Sequence, residues 1–484
     1  MITRMKILRT IGPVPQGARY FLGFYSSLLK TLTLFSCLII ACSVQDGLEI
    51  IENGTLAPLD VLSDLGDWLE NTAEKSKKIV GISAFLLSGT NMDVDVIVAG
   101  QSVLGKAYSL RGNKLVRKKA ADVNPKTSFM VASVSKTIVW TALSMVFDAG
   151  GFDLEENING KLPFKVQNPK FKNIPITYKM LYAHTSGIKD IWSGYKYGSQ
   201  CPINRPYPIP LAQVVLKGTK KWYKIRPGKR ENYSNYGSAL AALLVERHTG
   251  MEFTRFVKKY IFDPLGMTSS QFFRPSDGTA SEQYRHNRNK KNSYKVADGG
   301  YCFPDWPSGQ LWTTTADLGR FTTVVINGGR LKSGNKCVYG PETGKKVFER
   351  TSGESGMGWF LYSGGAGHDG GETGVSSDLF LRLQDPRVAV GWMANGELTD
   401  NEFSVLTKGL VDAAKKLGTV PLPPAGKCVR TWNSSACAND KDFRIKGKTC
   451  QWIGQSLFRI NKFCKKNSQG KSIKEWCPVS CTNC

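Results

Sequence analysis

Strand-like hydrophobic runs occur at both ends of a long helical stretch of this chain, and that separation constrains the fold most strongly. Two β-rich runs, Ile79 to Leu87 and Val94 to Ala99, flank Ser88-Gly89-Thr90-Asn91-Met92, which reads as a hairpin loop. From about residue 130 to 330 the pattern is helical with long connections. Strand-like runs return at Gly358 to Tyr362, Asp378 to Leu383 and Val388 to Ala394. One sheet closed by distant segments, with a helical insertion between them, satisfies this order. Helical spacing in residues 59–72 (Leu62, Leu65, Leu69) and again at Phe403, Leu406, Leu410 and Ala414 supplies an amphipathic helix at each end. The expected class is therefore α/β (α+β), an antiparallel sheet flanked by N- and C-terminal helices. With 41% hydrophobic residues and 11 Trp among 484 residues, a large core is available and a disordered chain is excluded.

Residues 1–30 carry Arg4, Lys6, Arg9, Arg19 and Lys30 and no acid, followed by the apolar stretch Leu32 to Val44. A basic region, an apolar region and small residues at Ala41 and Ser43 describe a secretory signal. The apolar character of Tyr20 to Leu29 also permits a signal anchor, and Ile39-Ile40-Ala41-Cys42 matches a lipoprotein box. Each reading puts the rest of the chain outside the cytosol, secreted or membrane-anchored. The expected organisation is a signal over 1–44, a catalytic domain over 45–417, a Pro/Gly linker over 418–427 and a disulfide module over 428–484.

Cysteine usage agrees. Seven of the 12 cysteines crowd the end of the chain, Cys428, Cys437, Cys450, Cys464, Cys477, Cys481 and Cys484, as in small modules whose cores are thin. A zinc site lacks paired CxxC spacing, since only Cys481 and Cys484 have it, and no metal is expected. The remaining Cys201, Cys302 and Cys337, with Cys428, allow two bridges in three ways or free thiols. The net charge of +26 attracts anionic partners, an acidic glycan or a membrane surface, through the basic tail. No finger spacing or RNP-type aromatic run accompanies it, so nucleic acid is not expected.

Chemistry concentrates at Ser133-Val134-Ser135-Lys136, which opens the apolar helix Thr137 to Phe147. Ser133 and Lys136 lie one turn apart on one face, so the amine can reach the hydroxyl. A serine is a poor nucleophile unless a neighbouring base takes its proton, and a lysine serves only if its pKa falls. Tyr233-Ser234-Asn235 precedes another helical run. Beside a cationic lysine, Tyr233 would ionise below its usual ~10 and act as a base, with Asn235 holding a substrate amide or carbonyl and contacting the lysine. In His368-Asp369-Gly370-Gly371, the glycines let a substrate lie against a strand edge. The Gly371 N–H would join that of Ser133 in an oxyanion hole. His184 reads as core, and His248 and His286 as solvated. Gly365 to Gly370 formally matches a dinucleotide-binding GxGxxG, but no helical pattern follows it. No cofactor is implied.

The order Ser-x-x-Lys, Tyr-x-Asn, His-x-Gly, with about 100 and about 130 residues between, resembles the serine β-lactamase and penicillin-binding-protein superfamily. The resemblance is closest to its class C β-lactamase, esterase and D-alanyl carboxypeptidase branch. Supporting segments follow in order: Pro125-Lys126-Thr127-Ser128-Phe129, Leu181 to Ile188, Phe262 to Met267, Ser308 to Leu318 and Gly356-Met357-Gly358-Trp359. The resemblance covers roughly residues 75–415. It implies that Ser133 is acylated, that Lys136 and Tyr233 share the proton work, and that Asn235, His368, Gly370 and Gly371 contact substrate or oxyanion. His368 replaces a lysine of many relatives, turning a permanent cation into a titratable group, and Asp369 adds negative charge there. Both features disfavour strong β-lactam hydrolysis.

The tail, with Cys450-Gln451-Trp452 and Cys477-Pro478-Val479-Ser480-Cys481, resembles the ShK-type six-cysteine module of sea-anemone toxins in a form common in secreted algal proteins. That resemblance implies the pairs Cys437–Cys484, Cys450–Cys477 and Cys464–Cys481. The expected function is hydrolysis of a small ester or amide. The alternatives are a non-catalytic ligand-binding protein and a D-amino-acid peptidase or carboxypeptidase.

Overall fold

The computed structural model describes residues 58–433 except 77, 105–107, 112–113, 118, 203, 287–293, 297–299 and 333–334, together with the short strands Asn467–Ser468 and Lys471–Ser472. The expected signal and the cysteines Cys437, Cys450, Cys464, Cys477, Cys481 and Cys484 lie outside the described residues.

The elements that position the site are α1 (Pro58–Ser76), β1 (Gly81–Ser88), β2 (Asp93–Val103), β3 (Ala121–Asp122), α2 (Ser135–Asp148), α3 (Asn235–Thr249), α4 (Thr315–Ile326), β4 (Phe360–Tyr362), β5 (Gly365–Glu372), β6 (Val375–Arg382), β7 (Val388–Ala394) and α5 (Asp400–Leu417). The sheet order is β4-β5-β6-β7-β1-β2-β3, and its pairs are antiparallel. Distant parts of the chain meet where β1 pairs with β7, Leu86 opposite Val390. The Ser88 to Met92 loop closes the β1–β2 hairpin, with Ser88 opposite Asp93.

β1 is buried along its whole length because both of its faces are covered. Ile82, Ala84 and Leu86 pack with Leu65 and Leu69 of α1 and Leu406 and Leu410 of α5, whereas Phe85 and Leu87 join the larger core of the helical region. The buried stripe of α1 is Val61, Leu65, Leu69 and Ala73, and Leu62 lies at its half-buried edge. A capping box starts α5: the Thr399 hydroxyl accepts the Glu402 N–H and the Glu402 carboxylate accepts the Thr399 N–H. Fully burying each large apolar side chain at these contacts contributes about 1.5–3 kcal/mol.

β5 was not legible as a strand, because Gly365, Gly367, Gly370 and Gly371 carry no period-two hydrophobic signal. Its extended conformation comes from pairing with β6. The formal GxGxxG lies within this strand, so no glycine-rich turn into a helix N-terminus is present there.

The cysteine pairing left open by the sequence resolves into Cys201–Cys302 and Cys337–Cys428. The segment 418–427 runs along the domain: Val420 is buried and its N–H donates to the Arg387 carbonyl at 2.6 Å. Beyond it, Val429–Arg430 pairs in parallel with Lys336–Cys337, Arg430 bonds Asp148, and Trp432 is buried against Phe256. Digestion without reduction should release linked peptides for 201–302 and 337–428. Recovery of Cys428 joined to any cysteine of 437–484 would contradict this arrangement.

Candidate active site

Ser133 sits in a tight turn, Ala132–Val134, immediately before α2. Ala132 has φ +42°, a left-handed conformation that L-residues avoid, so neighbouring bonds must hold it. The Val131 N–H donates to Leu311 O at 2.9 Å, and the Ser377 hydroxyl of β6 donates to Val131 O at 2.7 Å. On the other side, the Ser135 hydroxyl accepts the Leu311 N–H at 2.9 Å. The turn is thus clamped between the sheet and the Ser308 to Leu318 segment.

Lys136, one turn into α2, is fully buried. Its Nζ donates to Ser133 Oγ at 3.0 Å and to Ser308 O at 2.7 Å. Burial lowers its pKa to about 7, against the opposing pull of Asp190, Asp305, Glu372 and Asp369. The Tyr233 ring centroid is 4.8 Å from this Nζ, and its hydroxyl lies near Ser133. Burial, reinforced by Asp369, Asp190 and Asp305, pushes Tyr233 well above its ordinary value. This reverses the expectation that a cationic lysine lowers it. The same burial that raises the phenol lowers the lysine, so of the two groups the amine is the one nearer to giving up its proton.

Tyr233 and Asn235 are fixed through the start of α3. Ser234 caps the helix, its hydroxyl accepting the Gly237 N–H at 2.9 Å. Asp190 binds the same turn three times: Oδ1 accepts from Ser234 Oγ at 3.2 Å and Tyr236 N at 3.1 Å, and Oδ2 from Asn235 N at 3.0 Å. His184 Nδ1 accepts the Ser234 N–H at 3.2 Å, which places its proton on Nε2. The His184 ring packs 4.6 Å from that of Tyr233 and edge-on to Trp140, and burial holds its pKa well below normal. It is buried, in agreement with the reading of His184 as core. The Lys136 amine bonds Ser133 and Ser308, and no hydrogen bond links it to the Asn235 side chain. His248 is not solvated either: its Nε2 meets Tyr178 Oη at 2.7 Å and burial lowers its pKa to about 3. The side chain of His286 lies outside the described residues.

β5 carries His368, Gly370 and Gly371 and runs against the Ser133 turn at Gly370. β4 covers only Gly365–Gly367, so β4 leaves the strand edge from His368 onward open. A Cβ on Gly370 would lie 2.5 Å from Val131 O and 3.1 Å from Ser133 N, so only glycine lets this strand approach the nucleophile turn. His368 donates from Nδ1 to Asp369 O at 2.7 Å, and its buried Nε2 has no partner. Burial and the nearby Lys136 push its pKa to about 3, so His368 is neutral and does not titrate near neutral pH, correcting the sequence expectation. Asp369 stands opposite Asp378, whose carboxylate accepts the Thr407 hydroxyl of α5. Strand alternation therefore turns Asp369 toward α5 rather than toward Ser133, and burial raises its pKa.

Three site residues were missed: Asp190, Asp305 and Glu372. Asp305 accepts the Ser308 hydroxyl at 3.2 Å, and burial raises its pKa to about 7. Glu372 accepts the Tyr195 hydroxyl at 3.0 Å. The available signals were modest: Glu372 shares a strand face with His368 and Gly370, and Asp305 immediately precedes the Ser308 segment. Among the described residues no cluster of three or more His, Cys, Asp or Glu side chains is arranged to hold a metal ion.

The Beta-lactamase family profile matches residues 75–415. A putative penicillin-binding protein PbpX of Bacillus subtilis (strain 168) is 24% identical over 304 residues, 62% of this chain and 68% of its own length. Protein flp of Staphylococcus aureus (strain N315) is 24% identical over 233 residues, covering 48% of this chain and 44% of flp, so the match spans less than half of that relative. Among solved structures, a D-amino acid amidase from Ochrobactrum anthropi SV3 superposes with a TM-score of 0.55 at 19% identity, covering 74% of this chain and 97% of the amidase. A class C beta-lactamase mutant gives 0.54 at 16% identity, covering 74% and 97%. These structural likenesses carry the fold, the profile carries the family, and the profile spans the segments that build the Ser133 site. The chain belongs to the Beta-lactamase family.

Proposed function

We propose that this protein is an extracytoplasmic serine hydrolase that cleaves a small ester or amide through an acyl-enzyme on Ser133. The observation that carries this reading is the fully buried Lys136 amine, 3.0 Å from Ser133 Oγ, with its pKa lowered to about 7. Neutral Lys136 takes the Ser133 proton as Oγ bonds the carbonyl carbon, and the carbonyl π pair moves onto oxygen. The N–H groups of Ser133 and Gly371 receive that oxyanion. Collapse breaks the bond to the leaving alcohol or amine, which takes a proton from Tyr233, and Tyr233 is recharged from Lys136. Water then attacks the acyl ester and gives its proton to the same pair; as the acyl–Oγ bond breaks, the pair returns that proton to Ser133 Oγ and the acid leaves. Asn235 and the unpartnered His368 Nε2 are the polar groups offered to the acyl portion.

The site carries Asp305 and Glu372 close enough to Lys136 to influence it, and His368 is neutral. This balance favours a substrate with a neutral or ammonium group over a carboxylate. It supports, as a second reading, a D-amino-acid amide, the substrate type in the name of one structural neighbour, or a D-amino-acid peptide. Two disulfides support an oxidising compartment, and no helix among the described residues is long and apolar enough to cross a membrane. The signal over 1–44 and the ShK-type module complete the proposed organisation.

Exposure of the folded, oxidised protein to a fluorophosphonate and an ester panel should give an intact-mass adduct that maps to Ser133. Ser133→Ala should give neither adduct nor turnover. Retained hydrolysis in that variant would overturn the mechanism, and no adduct in wild type would favour a ligand-binding protein. Asp190→Ala frees the turn that holds Tyr233 and should lower kcat/KM by up to about 100-fold. Asp190→Asn should restore part of it through the remaining amide oxygen. Equal kcat/KM in wild type and Asp190→Ala would remove Asp190 from the account.

A further inference from the structure

Between Lys161 and Arg230 the chain holds twelve lysines, three arginines and one acid, Asp190, which is engaged by the start of α3. Lys179, 2.7 Å from Glu155, is the one cation of this stretch in an ion pair among the described residues. Three of its segments meet in space. The Lys189 N–H donates to Lys221 O at 3.0 Å, the Tyr223 N–H to Gly187 O at 2.9 Å, and the Asn168 side chain to Tyr223 O at 3.2 Å. Asn168 also accepts the Lys170 N–H at 3.0 Å. Lys170, Lys172, Lys189, Lys221 and Lys224, all exposed, are thereby gathered around the Tyr223 junction. The same layer continues to the site wall, where Gly228 N donates to Thr185 O and Asn232 N to His184 O, one residue before Tyr233.

We propose that this surface binds an extended acidic polysaccharide alongside the acyl site, through Lys170, Lys172, Lys189, Lys221 and Lys224. Like charges within a screening length of ~8 Å at physiological salt repel one another, and a polyanion relieves that repulsion. The chemistry of the patch selects this class of polyanion. Among the described residues the exposed large hydrophobics are Trp192, Tyr197, Leu216, Val405, Leu422 and Val429, none of them in the three segments that meet here, so these segments offer no exposed apolar anchor for insertion into a membrane interface. Its aromatics are half-buried, and Lys189 Nζ lies over the Tyr223 ring at 5.6 Å, which leaves little open ring face for base stacking. Sulfate and carboxylate groups along a sugar chain need neither feature. This inference does not depend on the acyl chemistry.

The test uses the full secreted chain on immobilised heparin and polygalacturonate, with neutral dextran, single-stranded DNA and phosphatidylserine vesicles as comparisons. Lys170→Glu/Lys172→Glu/Lys221→Glu/Lys224→Glu is compared with a variant of equal charge change in the tail, Lys465→Glu/Lys466→Glu/Lys471→Glu/Lys474→Glu. The proposal predicts that the tail variant elutes from the polysaccharides near the salt concentration of wild type, whereas the patch variant elutes far earlier with an unchanged melting temperature. An unfolded patch variant would be replaced by the four single substitutions, each expected to shift elution part of the way. Equal losses in both variants, loss only in the tail variant, or tighter binding to DNA or vesicles than to either polysaccharide would overturn it.

Discussion

Lys136 holds its amine out of water between the Ser133 hydroxyl and the Ser308 carbonyl, and the surrounding structure makes that position tenable. Withdrawing an ammonium from water is costly enough that a buried lysine tends to give up its proton instead. The carboxylates Asp190, Asp305, Glu372 and Asp369 oppose that tendency, so the pKa comes to rest at about 7 rather than collapsing further. The same burial keeps the proton on Tyr233 and removes it from His368. One environment thereby lowers the lysine and the histidine and raises the tyrosine, the division that the proposed mechanism uses.

That sorting depends on the sheet. β1 pairs with β7, drawing the two ends of the domain together, and β6 reaches across to bond Val131 beside the nucleophile turn. Gly370 lets β5 come against the Ser133 amide. Gly358, at φ +81°, plays a comparable part behind the site: a Cβ there would fall 2.1 Å from the Trp140 ring of α2. Gly370 and Gly358 thus mark close approaches of backbone to the Ser133 turn and to the helix that carries Lys136.

Much of this was legible before any coordinates. Ser133 and Lys136 are related by one helical turn, a local geometry that spacing alone reveals. The strands β1, β2, β6 and β7 announce themselves through β-branched and apolar runs, and α5 through its stripe. β5 escaped because glycine has no hydrophobic period. Asp190, Asp305 and Glu372 escaped because a single acid acquires its role only from tertiary neighbours. The directions assigned to Tyr233 and His368 failed for a related reason: the residue types suggest which groups titrate, but the sign and size of a shift follow from burial, which spacing does not reveal. Charge separates the outside from the inside in the same way. A net charge of +26 describes a basic protein, yet the buried Lys136 amine feels four acids while Lys170, Lys172, Lys189, Lys221 and Lys224 are exposed.

The most direct test of the central claim is the rate of Ser133 modification by a fluorophosphonate as a function of pH, in wild type and in Lys136→Ala. A lysine that must be neutral to accept the Ser133 proton gives a rate that falls about tenfold per pH unit below its pKa and is flat above it. The account predicts a single midpoint near 7 in wild type, and a slow rate without that midpoint in the variant. A midpoint near the ordinary lysine value of 10.5, or a profile unchanged by removing Lys136, would contradict it.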